Sequence, residues 1–236
     1  MPLSAFGLLF NGVLDNVDSA NPSGSLNITG AITITAWVYA TSLAGTFESI
    51  VAKGKTSTAD GDTAAAPYSF IVRNGLPEFW IVDSTNTNSN SDAASAMVIN
   101  RWNFVAATWD GTTGTDDKCV YLNLVKKCYT QIIVSAMKTN TRDLVIGNDI
   151  VRKDGTNRMS WKGSISDVRI YNRALSEYEL RQVYYGQAVR NGLVGQWKLL
   201  AQSLSFEPDA SGYGNYGTTT ANVARGRLSP ALRFRR

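Results

Sequence analysis

Histidine does not occur anywhere in the 236 residues. That excludes His-based triads, His general bases and His metal ligands. Charged side chains are scarce at 18%, and there are only two cysteines. No run approaches the roughly 18 consecutive apolar residues of a membrane-crossing helix, so no membrane insertion is expected. The N-terminal Met1-Pro2-Leu3-Ser4 lacks the basic and apolar regions of a secretory leader, and no signal peptide is visible. No phosphate-binding loop occurs either.

What is abundant is Thr, Ser, Asn and Gly, a mix that suits strands and turns and is poor for long helices. The chain is long enough for one large β-domain or two small ones and to bury a core without metal or disulfide. Apolar residues alternate in Ala31-Ile-Thr-Ile-Thr-Ala-Trp-Val-Tyr39 and again in 103–109. Further short strands are predicted at 8–10, 25–29, 48–52, 68–73, 77–82, 97–99, 132–134, 144–147 and 163–171. Many short strands with regular turn signals imply a sandwich, barrel or jelly roll. Four polar stretches interrupt them, at 55–66, 83–96, 110–117 and 148–160. Each is read as a loop, either functional or a tolerated surface insertion.

Two local patterns are sharper. Ile165, Val168 and Ile170 lie in a half-apolar strand broken by Asn172-Arg173-Ala174-Leu175, and Ser176 with Glu179 then forms a capping-box pattern opening a short helix. Residues 117–122 and 125–129 read as a hairpin around Asn123-Leu124. That register sets Cys119 directly opposite Cys128, at a pair spaced about 4.5 Å between Cα atoms. A cross-strand disulfide is the prediction; the alternative is two thiols buried as small hydrophobes.

The net charge of +4 is concentrated late: from Ser203 onward, five arginines stand against Glu207 and Asp209. A basic terminal arm and a solvated tail both fit. A nucleic-acid protein would show a basic, aromatic-interleaved stripe over the folded body, so nucleic acid is not the expected partner.

Six separated motifs, in order, carry a resemblance: Phe10-Asn11-Gly12-Val13-Leu14-Asp15, then Leu26 through Ala36-Trp37-Val38, then Ile50-Val51-Ala52-Lys53-Gly54, then Trp102 through Trp109-Asp110-Gly111, then Leu144-Val145-Ile146-Gly147-Asn148, and 163–176. Over residues 6–185 the chain resembles the laminin G-like branch of the concanavalin A-like lectin/glucanase superfamily. The resemblance implies an all-β fold, a two-sheet antiparallel jelly-roll sandwich with a C-terminal arm. Residues 1–186 would form the jelly-roll domain. Residues 187–236 resemble a lead-in segment that usually precedes the Phe-Asp-Gly motif, and here they come last. They would complete the sandwich from the C-terminal side or dock on a neighbouring subunit.

Related glucanases carry a Glu-x-Asp-x-x-Glu strand. The five glutamates here, at 48, 78, 177, 179 and 207, do not have that spacing, so no enzyme activity is expected. Many relatives bind Ca²⁺ near the Phe-Asp-Gly motif and the Gly-x-Ile-Asp strand. Asn11, Asp15 and Asp167 occupy matching positions, with Asn148 and Asp149 near, while Leu14 and Ser166 replace acids. The implied Ca²⁺ site is weak or lost. Trp37, Trp102, Trp109, Trp161 and Trp197 fall in family-like motifs and are read as core. Trp80 and Tyr68 border the polar loops, and with Asn86, Asn88 and Asn90 they form a candidate sugar-binding patch, the alternative for Trp80 being core. The resemblance thus implies a non-catalytic recognition module for a glycan or another cell-surface ligand, extracellular in location. The alternative is a structural assembly protein, such as a virion decoration or fibre subunit on the virion surface, whose partners are neighbouring subunits. A virion component made in host cytosol would need no leader.

Overall fold

The structure is a computed structural model, and it describes residues 6–43, 47–54, 66–112, 117–130, 136–148, 159–200, 205–220 and 223–228. The predicted strand at 132–134 and most of the polar stretches 55–66 and 148–160 lie outside them. Sixteen strands are present among these residues: β1 (Phe6–Asn11), β2 (Val17–Ser19), β3 (Ile32–Ala40), β4 (Phe47–Lys53), β5 (Tyr68–Arg73), β6 (Leu76–Val82), β7 (Asn88–Asp92), β8 (Trp102–Trp109), β9 (Lys118–Leu122), β10 (Val125–Tyr129), β11 (Leu144–Ile146), β12 (Lys162–Tyr171), β13 (Leu193–Trp197), β14 (Phe206–Glu207), β15 (Gly217–Thr219) and β16 (Ala224–Leu228). The one described helix, α1 (Glu177–Tyr184), follows β12.

All pairings are antiparallel. The first sheet runs β10-β9-β8-β3-β12-β1-β16, with β13 also on β12; the second runs β14-β15-β2-β11-β4-β5-β6-β7. The predicted jelly-roll sandwich is the fold observed. Alternation explains the layering: Ile32, Ile34, Ala36 and Val38 point inward from β3 and meet Tyr68, Phe70 and Val72 of β5 in one core. Trp109, Trp161 and Trp197 are fully buried, each contributing roughly 3 kcal/mol through the apolar surface removed from water.

Gly147 explains why two of the family-like motifs go together. Its φ is +84°, and a Cβ there would lie 2.3 Å from the Phe10 ring. Only glycine permits both the turn and the close packing of that ring.

β12 carries a bulge. Ser166 pairs with Trp37 but Arg169 pairs with Thr35, so β12 holds one extra residue, and Asp167 takes φ 48°. The bulge divides β12 between two partners on one side, β1 before it and β13 after it. Strands from 193–228 thus pair within the same chain, β13 on β12, β15 on β2 and β16 on β1.

Part of the outer face of the first sheet, across β3, β8 and β9, is covered. Ser176 caps α1 in a complete capping box with Glu179, and Arg173 grips Glu179 through two nitrogens at 2.6 and 3.0 Å. Leu180 and Val183 then lie in a second cluster with Trp37, Phe104 and Tyr121. The glutamates of this turn are structural: Arg173 holds the Glu179 carboxyl down to about 2.

The β9–β10 hairpin has Cys128 opposite Cys119, and the two form a disulfide with S–S 2.03 Å and Cα atoms 4.0 Å apart. Asn123 and Leu124 both have positive φ, 50° and 69°, as a type I′ turn requires.

Candidate functional site

The one described helix packs on the first sheet, and the outer face of the second carries none among the described residues. Inward-facing Phe79 and Ile81 send Glu78, Trp80 and Val82 of β6 outward. Pairing with β7 places Asp92, Asn90 and Asn88 directly beside them. Trp80 is partly exposed and Asn88 and Asn90 are exposed. The Trp80 ring is braced edge-on by Phe47, centroids 6.1 Å apart at 88°. Its indole Nε1 is out of solvent and has no hydrogen-bond partner.

Charge beside the ring is organised. Asn90 Nδ2 donates to Glu78 Oε1, and Arg73 Nε lies 2.7 Å from Glu78 Oε2. Asp92 accepts from Tyr129 and, at 2.9 Å, from Lys127, both on β10 of the other sheet. Burial pushes the Asp92 carboxyl up, but those two donors outweigh it and leave it below the ordinary range. A partly exposed indole beside the exposed Asn88 and Asn90 amides offers what a sugar ring needs, an apolar face and hydrogen-bonding groups for its hydroxyls, while the fully buried Glu78 holds Asn90 in place from beneath.

Three of the predicted residues, Trp80, Asn88 and Asn90, are therefore brought together. Tyr68 is not among them. It is fully buried, and its hydroxyl donates to the Leu26 carbonyl at 2.9 Å, so it offers no ring face. The alternation Tyr68-Ser69-Phe70-Ile71-Val72 puts it on the core side. Asn86 is exposed at the hairpin tip with φ 66°, where its side chain accepts from Lys138 at 2.9 Å. The stretch 83–96 is not one loop: Asp83 caps a turn by accepting from Thr85 and Thr87, and Asn88–Asp92 is a strand. Sequence reasoning missed Arg73, Glu78 and Asp92 here. The Asp-x-Thr turn signal was the available clue, since it makes a hairpin of 76–92 and so aligns Glu78 with Asp92.

The calcium set does not converge. Asn11 lies opposite Lys162, five residues of strand from Asp167, about 16 Å. Asp167 is buried and engaged by Arg169 at 2.7 Å and by Gln196 at 2.8 Å. Asp15 Oδ2 accepts from Asn11 N, and burial raises its carboxyl. Asp15 Oδ1 and Asn148 Oδ1 are both buried without a partner. Among the described residues, no three His, Cys, Asp or Glu are grouped so as to hold a metal ion. Asn11, Asp15 and Asp167 thus do not form one site, because strand length separates the acids that the resemblance groups.

A model of the concanavalin A-like lectin/glucanases superfamily matches residues 11–181. The chain belongs to this superfamily. Its sandwich is similar to that of a Bacteroides ovatus protein classed as carbohydrate-binding, at 20% identity and a TM-score of 0.70 over 95% of this chain; the chain spans 61% of that protein's length. It is also similar to a heptameric SAP-like pentraxin from Limulus polyphemus, at 14% identity and a TM-score of 0.62, covering 98% of this chain and 99% of that one. A third likeness is to the CBM40 of a Ruminococcus gnavus sialidase, solved with α2,3-sialyllactose, at 15% identity and a TM-score of 0.54, covering 75% of this chain and 97% of that one. At these identities the likeness concerns the fold. Among curated proteins none matches. These findings lend no support to the virion reading.

Proposed function

We propose that this superfamily member is a non-catalytic carbohydrate-recognition module that binds its glycan across Trp80 on the outer face of the second sheet. The observation that carries the reading is the partly exposed Trp80 ring, braced by Phe47 and flanked by the exposed Asn88 and Asn90, with Asn90 held by the buried, Arg73-anchored Glu78. Exposed edges of tryptophan are costly to leave in water, and stacking against the apolar face of a pyranose recovers that cost. The fold's likeness to a protein classed as carbohydrate-binding and to a sialyllactose-bound CBM40 supports the ligand class. No catalytic step is assigned, because the carboxylates at the site are tied to Arg73, Asn90, Lys127 and Tyr129 rather than paired across an open cleft. The ligand class makes an extracellular setting the natural one. No described helix is long and apolar enough to cross a membrane.

A glycan array probed with the labelled protein and with Trp80→Ala tests this. Binding to at least one glycan that the variant loses, with its fold unchanged by circular dichroism, is the expected result. No glycan bound, or equal binding by the variant, overturns it.

A further inference from the structure

The outer face of the second sheet has a second exposed aromatic group at its far edge. Cross-strand pairing runs in one row from Phe206 through Thr218, Asp18, Val145, Ala52 and Ser69 to Trp80. Six strand spacings separate the ends, about 29 Å. Val145, Ala52 and Ser69 face outward yet are buried, so the two ends are separate patches.

At the Phe206 end, three large aromatics stand in solvent: Phe206 at 45%, Tyr213 at 48% and Tyr216 at 54% exposure. The Phe206 and Tyr216 rings lie 5.4 Å apart, tilted by 35°, as a shelf. The turn carrying it is fixed. The Asp209 carboxylate accepts from the backbone of Gln196, Ser211 and Asn215 at 2.8–3.0 Å. The buried Asn215 amide donates to Ser25 Oγ at 2.9 Å and the Val194 carbonyl at 2.8 Å. Exposed aromatics grouped side by side on a hydrogen-bonded turn form an apolar patch of the kind that marks a contact surface.

Next to the shelf is a cavity of about 280 Å³ lined by Asp18, Arg142, Asp143 and Val145. Its wall is anchored from beneath: the buried Lys53 ammonium donates to the carbonyls of Asn140 and Arg142 and to Asn140 Oδ1. Phe206 and Asp18 are two strand spacings apart, about 10 Å, the reach of a disaccharide. The volume is at the small end for a ligand pocket, enough for a sugar ring.

We infer that this shelf and cavity form a second carbohydrate subsite, independent of Trp80. One pyranose stacks on Phe206 and Tyr216. Its neighbour enters the cavity, where the Asp18 and Asp143 carboxylates accept from hydroxyls and the Arg142 guanidinium donates to them. The inference shares the glycan-module reading but rests on none of the residues at Trp80. Two subsites on one face let a long chain or a clustered surface engage both, raising avidity without new contacts.

The test is aromatic ¹H–¹³C NMR on the full chain, titrated with cellohexaose, xylohexaose and chitohexaose at millimolar concentration. The expected result is movement of the Phe206, Tyr213 and Tyr216 ring signals with at least one probe. That movement persists in Trp80→Ala and weakens about tenfold in Tyr216→Ala and in Asp143→Asn, the loss of one stacking or charged contact. Movement of Trp80 alone overturns the second subsite and leaves the first reading standing. Movement of the shelf alone removes Trp80 from the function and keeps the inference. If no ring moves with any probe, the second subsite falls, and the glycan array decides the reading at Trp80 separately.

Discussion

The ammonium of Lys118 donates to the carbonyl of Ser89 at 2.7 Å, joining β9 of one sheet to β7 of the other where their edges meet. Lys118 is fully buried and lies 5.1 Å from the centroid of the Phe79 ring. Burial lowers its pKa to about 7, against the pull of Glu78 and Asp117. At the edge of the second sheet opposite β7, on β14, burial pushes the Glu207 carboxyl up to about 7 although it accepts from Leu199 N.

These two groups set a pH profile. Between pH 7 and 10.5 the unfolded chain holds the Lys118 proton that the folded chain has lost, so stability rises with pH there. Between 4.5 and 7 the folded chain holds the Glu207 proton that the unfolded one has lost, so stability falls as pH rises. Glu179, held down to about 2, adds stability that is lost as pH falls from 4.5. Melting temperature against pH should therefore show a maximum near 4.5 and a minimum near 7. Lys118→Met should make the alkaline limb shallower, leaving above pH 8 the part that Lys53, lowered by burial to about 8, contributes in the same sense, and Glu207→Gln should flatten the descent below 7. A smooth single maximum at neutral pH would contradict both assignments.

The Cys119–Cys128 bridge closes a loop with a sequence separation of 9. A loop that short restricts the unfolded chain by about 2–3 kcal/mol. Reduction with dithiothreitol, or Cys119→Ala with Cys128→Ala, should lower the melting temperature by several degrees and leave a folded protein. An unchanged melting temperature would mean the cross-link adds nothing.

Residues 187–236 supply β13 and the fully buried Trp197, which donates to the Asn215 carbonyl at 2.7 Å. Chain truncated after Gly186 should expose the core beside β12 and aggregate. A soluble, monomeric 1–186 fragment with native circular dichroism would show instead that the arm is dispensable and available for another subunit.

Local chemistry was the most legible. The Ser176–Glu179 cap and the cysteine register both depend on a few adjacent residues, and both appear as read. The sandwich was legible because β3, β5 and β8 alternate. Tyr68 was misplaced despite a visible signal, since it shares the parity of Phe70 and Val72. The strand Asn88–Asp92 was hidden because its inward residues are Ser89 and Ser91, which carry no hydrophobic pattern. The bulge at Asp167 was also hidden: positive φ at a residue other than glycine leaves little trace in sequence. The distance between Asn11 and Asp167 was hidden for a related reason, since likeness between motifs does not measure the strand length between them.

Recognition of a glycan on the outer face of the second sheet is open to direct measurement. Backbone chemical-shift mapping of the ¹⁵N-labelled protein, with whichever oligosaccharide binds best on the array, tests it most directly. The largest shifts are expected at Trp80, Asn88 and Asn90 and at Glu78 buried beneath them. Shifts confined to α1 and the covered face of the first sheet would contradict it.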